Sequence, residues 1–569
     1  MNSFKERMAV ARGERKADLV LKNGQLLNVF SGEIYPADVA IYKDRIVGLG
    51  SFAGQEEQDL NGRYILPGFI DGHLYVESAF LTLEELARAV VPHGTTTLVG
   101  DPHRLANVVG MTGLKYLFEA GTDLPLDVFF TLPLCVLPSE LETSGTGISA
   151  QNFASLLKHK QVLPIGELLN FRAELAGNKK VLAKMDTIGQ SRIFGSANNL
   201  TGQDLMAYVA TGVVSDHEAA TLAEAEERLR LGLQIFIKEG ALGGNLTAIL
   251  PLINPANARF FVLCSDDLAA VDLSQGHLNL VLAKAVAQKL DPVTAVQMVT
   301  LNPARFLGLS YYGAVAPGYY ADINIVSDLS DFEVDLVFKR GQLVASRHKP
   351  LFEVKTHKAK GLRETIKVKS LETEDFVLPA RSEYAKVIEL IPGQLITKSI
   401  VGTVKAKKKI VVADTDNDIL KLVVIERHKA SGNLGVGLVK GFGLKRGALA
   451  SSLAHDAHNI ICVGVDDEDI LSAVRRVVAL GGGMTVVRGG LVLAEMALPI
   501  AGLLSDQPLA EVLNKQRKLV AAATELGCKL TEPFKQLSFL SYTALPELRL
   551  TDQGLVNVVK GQLVDLFES

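Results

Sequence analysis

The feature of this chain that most limits its fold is the regular alternation of strand-like and helix-like segments over residues 67–311. Eight apolar runs occur there, from PGFIDGH at the start to RFFVLCSDD near the end, and stretches such as LTLEELARAVVPHG separate them. Alternating strands and helices pack as a parallel sheet with helices outside it, so the segment is of the α/β class. Eight such units predict a (β/α)8 barrel of the TIM type.

Polar residues stand where the predicted strands end. They are His73, Asp101, Glu167, Ser196, His217, Glu239 and Asp266. Barrels of this type build their active sites at the C-terminal ends of the strands. Alternate side chains of a strand point the same way, so we expect His73, Tyr75 and Glu77 to project into one space. The sequence therefore predicts a polar site at that end of the barrel.

Two β-rich segments bracket the barrel segment. ADLVLKNGQLL near the start of the chain and VDLVFKRGQLV after the barrel share a pattern. We predict that residues 1–66 and 312–350 form one composite β-sandwich domain; two unrelated hairpins are the alternative. Residues 348–374 are predicted to form a linker to the C-terminal part. Residues 375–569 alternate strands with amphipathic helices, which predicts a C-terminal α/β domain.

Composition narrows the classes of partner. The 569 residues carry a net charge of −4 from 59 basic and 63 acidic side chains. This near balance of charge does not favour binding to nucleic acid or to an anionic membrane. No uncharged apolar run is long enough to span a bilayer. The N-terminal segment lacks the apolar core of a secretory signal, and the four cysteines form no CxxC pair. We expect a cytoplasmic protein.

Long segments of the chain resemble the adenine deaminases of the amidohydrolase superfamily. PGFIDGHLYVESAFLTLEELARAVVPHGTTTLVGDPHRLANVVG resembles the start of their barrel, and GNLGVGLVKGFGLKRGALASSLAHDAHNIICVG resembles their C-terminal domain. The resemblance implies hydrolytic deamination of adenine to hypoxanthine and ammonia. It also implies a divalent metal (Mn, Fe or Zn), one or two ions per chain, a small purine-like substrate, and a homo-oligomer.

The same resemblance assigns roles to individual residues. His73 matches the first His of the family's first strand, Glu167 its bridging carboxylate, and His217 a ligand of the second metal. Asp266 matches the Asp that binds the first metal and also accepts and donates the proton. The resemblance thus implies a metal set of these four residues, with Asp266 and Glu77 as catalytic groups.

Four further residues are implied to bind substrate: Ser78, His103, Glu239 and His277. Structural alternatives stay open for several of them. Glu77 and Ser78 could make a structural hydrogen bond, and His103 could take part in a loop salt bridge with Asp101. His277 could be a helix-start residue only.

The chain departs from the family pattern at two metal-ligand positions. Tyr75 stands in place of the second His of strand one, and Ser196 replaces the His after strand five. A phenol with a pKa near ~10 is a poor ligand at neutral pH. Each metal thereby loses a strong donor, so we predict at most one tightly held metal and weak or absent adenine deamination.

Three functions therefore remain open from the sequence. The first is deamination of adenine, and the second is a mononuclear amidohydrolase that acts on another purine-like or cyclic amide substrate. The third is a catalytically inactive homologue that binds a ligand. Outside the barrel, His455, Asp456 and His458 have a spacing that could suggest a metal site. We predict a packing role or a place at the mouth of the site for them, because the barrel already supplies a ligand set.

Overall fold

The structure is a computed structural model that describes residues 2–134, 139–168, 179–188, 192–198, 200–240 and 244–567. Within these stretches, no helix combines the length and the apolar character needed to cross a bilayer. The chain begins with a helix, Asn2–Ala11, and continues into five strands. These strands are β1 Ala17–Asn28, β2 Glu33–Tyr42, β3 Arg45–Leu49, β4 Gly54–Asp59 and β5 Tyr64–Pro67.

Eight parallel strands follow, and their order in the sheet is their order in the chain. They are β6 Phe69–Tyr75, β7 Thr95–Asp101, β8 Asp127–Pro133, β9 Val162–Leu168, β10 Arg192–Gly195, β11 Val213–Asp216, β12 Gln234–Lys238 and β13 Phe261–Cys264. The ends of the sheet meet where the N–H of Tyr75 donates to the carbonyl of Asp266 and the N–H of Asp266 donates to that of His73, both at 3.1 Å. The predicted TIM-type barrel is confirmed, and the eight apolar runs are its strands.

Helices alternate with the barrel strands along the chain. The α-helices of this part are Leu83–Val90, His103–Val109, Met111–Ala120, Ala150–Leu156, Lys179–Ile188, Gly202–Ala210, Leu222–Arg230, Leu246–Ile249, Ala270–Leu273, Leu278–Ala287, Pro292–Met298 and Leu301–Leu307, and the 3-10 helices are Val91–His93, Leu250–Leu252 and Ala258–Phe260. The sequence sets such boundaries locally. At Leu222–Arg230, the Thr221 hydroxyl accepts from the N–H of Glu224, whose carboxylate accepts from the N–H of Thr221. This reciprocal cap satisfies two donors that the first turn leaves free.

The barrel interior is apolar up to the last residues of its strands. Its buried side chains include Ile70, Val99, Leu163, Ile165, Phe194, Phe236, Val262 and Cys264. Because side chains alternate between the two faces of a strand, the residue two positions further along each strand also points inward. Those positions carry Asp101, Glu167, Ser196, Lys238 and Asp266. A ring of polar side chains therefore closes the C-terminal end of the barrel, which we call the barrel mouth.

Strands after the barrel return to the N-terminal sheet. They are β14 Ile323–Val326, β15 Val334–Lys339, β16 Gln342–Ser346 and β17 Lys349–Pro350. Strand β5 pairs with β1 on one side and with β14 on the other, so one nine-stranded sheet contains both segments. The division into a composite domain at 1–66 plus 312–350, a barrel at 67–311 and a C-terminal domain at 375–569 is kept as a proposal.

The C-terminal part adds further sheets. Its strands are β18 Tyr384–Leu390, β19 Thr397–Thr403, β20 Ala406–Lys407, β21 Ile410–Val411, β22 Ile419–Ile425, β23 Leu434–Lys440, β24 Ala448–Ala454, β25 Asn459–Gly464, β26 Gly483–Arg488, β27 Leu491–Ala497, β28 Leu548–Thr551, β29 Gly554–Asn557 and β30 Gln562–Leu563; its helices are Thr373–Phe376 (3-10), Asp467–Ala479, Leu509–Glu525 and Pro533–Phe539. An eight-stranded sheet runs in the order β19-β18-β23-β22-β25-β24-β26-β27. Its strand β24 leads into residues 455–458, which lie against the barrel mouth through a contact between His103 and Asp456.

Candidate active site

Four of the residues predicted as metal ligands converge at the barrel mouth. The His73 Nε2 atom lies 3.4 Å from Asp266 Oδ1 and 3.7 Å from Glu167 Oε1. The His217 Nε2 atom lies 3.9 Å from the same Glu167 oxygen, and the two imidazole rings are 4.5 Å apart between centroids. We call His73, Glu167, His217 and Asp266 the ligand cluster. Strands β6 and β9 and the segments that follow β11 and β13 supply them.

The ligand cluster leaves polar atoms without hydrogen-bond partners. Both ring nitrogens of His73, Oε2 of Glu167, Nε2 of His217 and Oδ1 of Asp266 are buried and make no hydrogen bond. Buried polar groups are normally paired, so atoms of this kind mark a place where something else binds. One ligand atom each from His73, Glu167 and His217 lies within 4.8 Å of the others. Bonds of about 2.0–2.3 Å in a tetrahedral site separate ligand atoms by roughly 3.3–3.8 Å, which is close to the observed spacings.

The protonation of the cluster suits a cation. Burial, helped by the neighbouring His217, lowers the pKa of His73, so its imidazole is neutral and offers a lone pair. Burial also raises the pKa of Glu167 well above its usual range, and the nearby Asp101 carboxylate adds to the rise. Such a carboxyl group holds its proton unless a positive charge joins it. His73, Glu167 and His217 therefore offer three ligand atoms to a divalent cation, and Asp266 lies beside them at His73.

The positions at which the family has its other histidines supply no ligand for a second cation among the described residues. The Tyr75 hydroxyl donates to Oε1 of Glu167 at 3.1 Å, and burial raises the pKa of Tyr75 well above its usual range, so it is a neutral donor and no ligand. The backbone N–H of Ser196 donates to the Tyr208 hydroxyl at 2.9 Å. Asp101, His103 and Glu167 also form a close group, but Nδ1 of His103 is already hydrogen-bonded to Asp101 at 2.9 Å.

His103 is held between two carboxylates. Its Nδ1 contacts Asp101, and its Nε2 lies 3.8 Å from Oδ1 of Asp456 in the C-terminal part. Burial opposes protonation, but these two partners outweigh it and raise the pKa of His103 to about 10. The structure thus places this predicted substrate-binding residue in a charged bridge between the barrel and the C-terminal part.

A cavity of about 490 Å³ lies between the barrel mouth and the C-terminal part; its lining includes Asp267, the neighbour of Asp266, but none of the four residues of the ligand cluster. Glu77, Ser78 and Arg104 line it on the barrel side, and His455 and Phe539 line it on the other. The guanidinium of Arg104 lies over the Tyr75 ring, 5.2 Å from its centroid, and donates to Ser78 Oγ at 3.4 Å and to Oδ1 of Asp267 at 3.2 Å. Glu77 accepts from the N–H of Leu105 at 2.9 Å, and burial raises its pKa.

Two predicted substrate residues lie away from the ligand cluster. Glu239 is paired with Lys284 of the outer helix Leu278–Ala287, at 3.0 Å. His277 contacts the Thr95 hydroxyl at 2.7 Å and Oδ2 of Asp71 at 3.2 Å. Asp71 in turn accepts a hydrogen bond from the Ser265 hydroxyl. The neighbours of Ser265, Cys264 and Asp266, point into the barrel, so Ser265 points out of it. His277 and Glu239 therefore lie behind the barrel wall, and their substrate roles stay predictions.

Sequence reasoning missed Lys238 and Glu218. The Lys238 ammonium lies 2.8 Å from Oδ2 of Asp266 and 3.3 Å from Oε2 of Glu218, and Oε1 of Glu218 lies 3.3 Å from Nε2 of His217. Burial alone would raise the pKa of Asp266, but Lys238 and the histidines hold it well below its usual range. Strand parity could have found Lys238, because it follows the inward Phe236 by two residues, whereas Glu239 follows it by three.

A buried ion pair positions His217. Arg228 Nε and Oδ2 of Asp216 are 2.8 Å apart, and both side chains are fully buried. Oδ1 of Asp216 accepts from the N–H of Ala197 at 2.8 Å, which ties the end of β11 to the segment after β10. Removing one partner of such a pair leaves an uncompensated buried charge, so Arg228 and Asp216 fix the place from which His217 projects.

Comparison with known proteins agrees with this architecture. The Amidohydrolase family model matches residues 64–163 and 198–344, and the Adenine deaminase C-terminal domain model matches residues 394–562. The adenine deaminase of Dehalococcoides mccartyi is 42% identical over 557 residues, which are 98% of this chain and 98% of that protein. The adenine deaminase of Desulfatibacillum aliphaticivorans is 42% identical over 564 residues, 99% of each.

Among solved structures, the β-aspartyl dipeptidase of Fervidobacterium islandicum AW-1 is similar over 60% of this chain and 99% of that chain, with a TM-score of 0.45 and 18% identity. The relationship itself rests on the relatives of 42% identity, which cover nearly all of both chains. With the confirmed barrel and the two family models, they identify this chain as a member of the adenine deaminase family, within the amidohydrolases that hydrolyse carbon–nitrogen bonds.

Proposed function

We propose that the chain hydrolyses adenine to hypoxanthine and ammonia at the ligand cluster, with one divalent cation per chain (Mn, Fe or Zn). The observation that carries this proposal is the convergence of His73, Glu167, His217 and Asp266 at the mouth of a barrel whose relatives are adenine deaminases. A divalent cation bound there supplies a Lewis acid and lowers the pKa of a water molecule that it coordinates.

The chain's own residues provide the proton transfers and the orientation. Water adds to C6 of the purine and ammonia leaves, so one of the water's two protons must move to N1 of the ring and the other to the leaving nitrogen. Asp266 suits this task, because its Oδ1 has no hydrogen-bond partner while Lys238 holds its Oδ2. Asp266 also has a left-handed backbone, with φ of 54°, and bonds from the backbone of β6 fix it there. Strain of this kind is found where the surroundings determine a functional conformation.

Burial supports the same chemistry. His73, Glu167 and His217 are each at most 3% exposed, so bulk water is excluded from around the reacting groups. The Tyr75 hydroxyl donates to Glu167 and thereby orients the carboxylate that faces both histidines. The loss of two family histidines at Tyr75 and Ser196 leads us to propose turnover below about 1 per second, slower than most enzymes.

The test is an assay of adenine turnover by protein expressed in Mn-supplemented medium. We expect hypoxanthine and ammonia in equal amounts, one bound metal per chain by elemental analysis, and loss of turnover after chelation. Absence of both metal and product would refute the proposal. The paired variant Tyr75→His with Ser196→His restores the family's donors, so its metal content should rise above one per chain and its turnover should increase.

A second candidate is hydrolysis of another purine-like or cyclic amide substrate. Arg104 favours it, because its buried guanidinium lines the cavity. A guanidinium only donates hydrogen bonds, so it suits a substrate with an oxo group. A panel of guanine, isoguanine and dihydrouracil, assayed beside adenine, separates the candidates by which substrate releases product fastest. Homo-oligomeric assembly stays a prediction, which light scattering can test.

A further inference from the structure

Lys238 is a cation inside the ligand cluster that no family pattern above assigns. It ends strand β12, and its parity with Phe236 turns its side chain toward the barrel axis. The side chain is 17% exposed, and its ammonium contacts Asp266 at 2.8 Å and Glu218 at 3.3 Å. The site therefore contains a positive charge of its own, the ammonium of Lys238.

The carboxylates around Lys238 are shared between it and the histidines. Oδ2 of Asp266 faces Lys238, while Oδ1 faces His73. The two carboxylate oxygens of Glu218 are also shared, because Oε2 faces Lys238 and Oε1 faces His217. One edge of the cluster thus has two carboxylate oxygens that are occupied by an ammonium rather than free to ligate a metal.

We propose that the ammonium of Lys238 takes the place of a second divalent cation, so that the site binds one metal ion and a fixed lysine. An ammonium has no lone pair and cannot ligate or activate water, but it neutralises the carboxylates and repels a second cation. The proposal rests on the proposed metal site and adds to it a further residue that limits its metal content, beside the absence of histidines at Tyr75 and Ser196.

The test is the metal content and metal affinity of Lys238→Met, which removes the charge and keeps the length of the side chain. Lys284→Met is the matched control, because Lys284 makes a similar contact with Glu239 on the other side of the same strand end. Each protein is loaded with Mn²⁺, dialysed, and analysed for manganese per chain, and Mn²⁺ affinity is measured by titration calorimetry. We expect one ion in the unmodified protein and in Lys284→Met. In Lys238→Met we expect either nearly two ions or at least tenfold tighter binding.

A third variant tests whether the charge of Lys238 limits the metal content. Lys238→Arg keeps the charge and should still hold one ion, and circular dichroism shows whether each variant is folded. If Lys238→Met does not fold, Lys238→Gln replaces it with the same expectation. Two ions in the unmodified protein would overturn this proposal and the single-cation count of the proposed function, while leaving hydrolysis of adenine at the ligand cluster standing.

The remaining outcomes are also decisive. Equal content and affinity in the unmodified protein and Lys238→Met would overturn the role of Lys238. Metal in Lys238→Met alone would support that role and refute the metal site proposed for the unmodified chain. Absence of metal from every variant would overturn both proposals.

Discussion

Two pairs of buried histidines, one at the barrel mouth and one in the C-terminal part, differ in the charge around them. His73 and His217 at the barrel mouth are 4.5 Å apart between ring centroids; His455 and His458 in the C-terminal part are 5.5 Å apart. Both pairs include ring nitrogens without hydrogen-bond partners. Spacing and burial alone would make either pair a candidate metal site.

The charged groups around the two histidine pairs distinguish one pair from the other. The barrel pair faces the carboxylates of Glu167, Asp266 and Glu218. Burial and the nearby Arg104 guanidinium lower the pKa of His455 to about 4, and burial, His455 and cations including Arg427 hold that of His458 well below its usual range. His455 also stacks on Phe539, with 4.4 Å between ring centroids. Carboxylates therefore favour a bound cation at the barrel pair, whereas at the C-terminal pair the carboxylates of Asp456 and Asp267 are offset by nearby cations such as Arg104.

The largest effect is expected at Asp266, beside the barrel pair, which we propose as the proton-transfer residue. Asp266→Asn keeps the shape but cannot carry the proton, so adenine turnover should fall by about 10²–10⁴-fold, the usual worth of general acid–base catalysis. Ammonia release under saturating adenine measures it. Retention of turnover within about tenfold would assign the proton transfer to another group.

The next effect separates the two pairs directly. His73→Asn removes a nitrogen ligand, and we expect Mn²⁺ affinity to fall by at least the 10–100-fold known for changes in outer partners of metal ligands. His458→Asn is the matched change in the C-terminal pair and should leave Mn²⁺ affinity unchanged. Calorimetric titration of both variants measures the difference, and equal losses would erase the distinction between the pairs.

The bridge between the two regions should show a pH dependence. His103 has a folded-state pKa of about 10, above the ordinary value of 6.5, so its stabilising contribution is complete below about pH 6.5 and disappears as the pH rises through 10. His103→Gln should cost about 2 kcal/mol at pH 6, as expected for a hydrogen bond to a charged group. The cost should shrink steadily toward pH 10.

Denaturant unfolding of both proteins at several pH values measures this cost. A cost that grows with pH would mean that His103 is neutral in the folded protein.

The smallest effect is expected at Glu239. Its ion pair with Lys284 involves a lysine side chain that is 53% exposed, and exposed pairs contribute less than about 1 kcal/mol. Glu239→Gln should therefore change the free energy of unfolding by less than that amount and leave the KM for adenine unchanged. A clear rise in KM would restore the substrate role that the resemblance implied.

The sequence was a good guide wherever periodicity decides the structure. The eight barrel strands follow from alternating apolar runs, and the residues of the ligand cluster follow from the family resemblance together with their place at strand ends. It was a poorer guide to which face a strand-end residue occupies. A bulge in the pairing of β6 with β7 alters side-chain parity between Asp71 and Leu74, and the choice between Lys238 and Glu239 depends on one residue of register. Contacts across the chain, such as His103 with Asp456, leave no local pattern at all.

The most direct test of the account is a crystal structure of Mn²⁺-loaded protein with anomalous data collected near the manganese edge. We predict one strong anomalous peak per chain, bounded by His73, Glu167, His217 and Asp266, and none beside His455 and His458. A peak at the C-terminal pair, or two peaks at the barrel mouth with Lys238 displaced from Asp266, would contradict the single-cation site proposed for this chain.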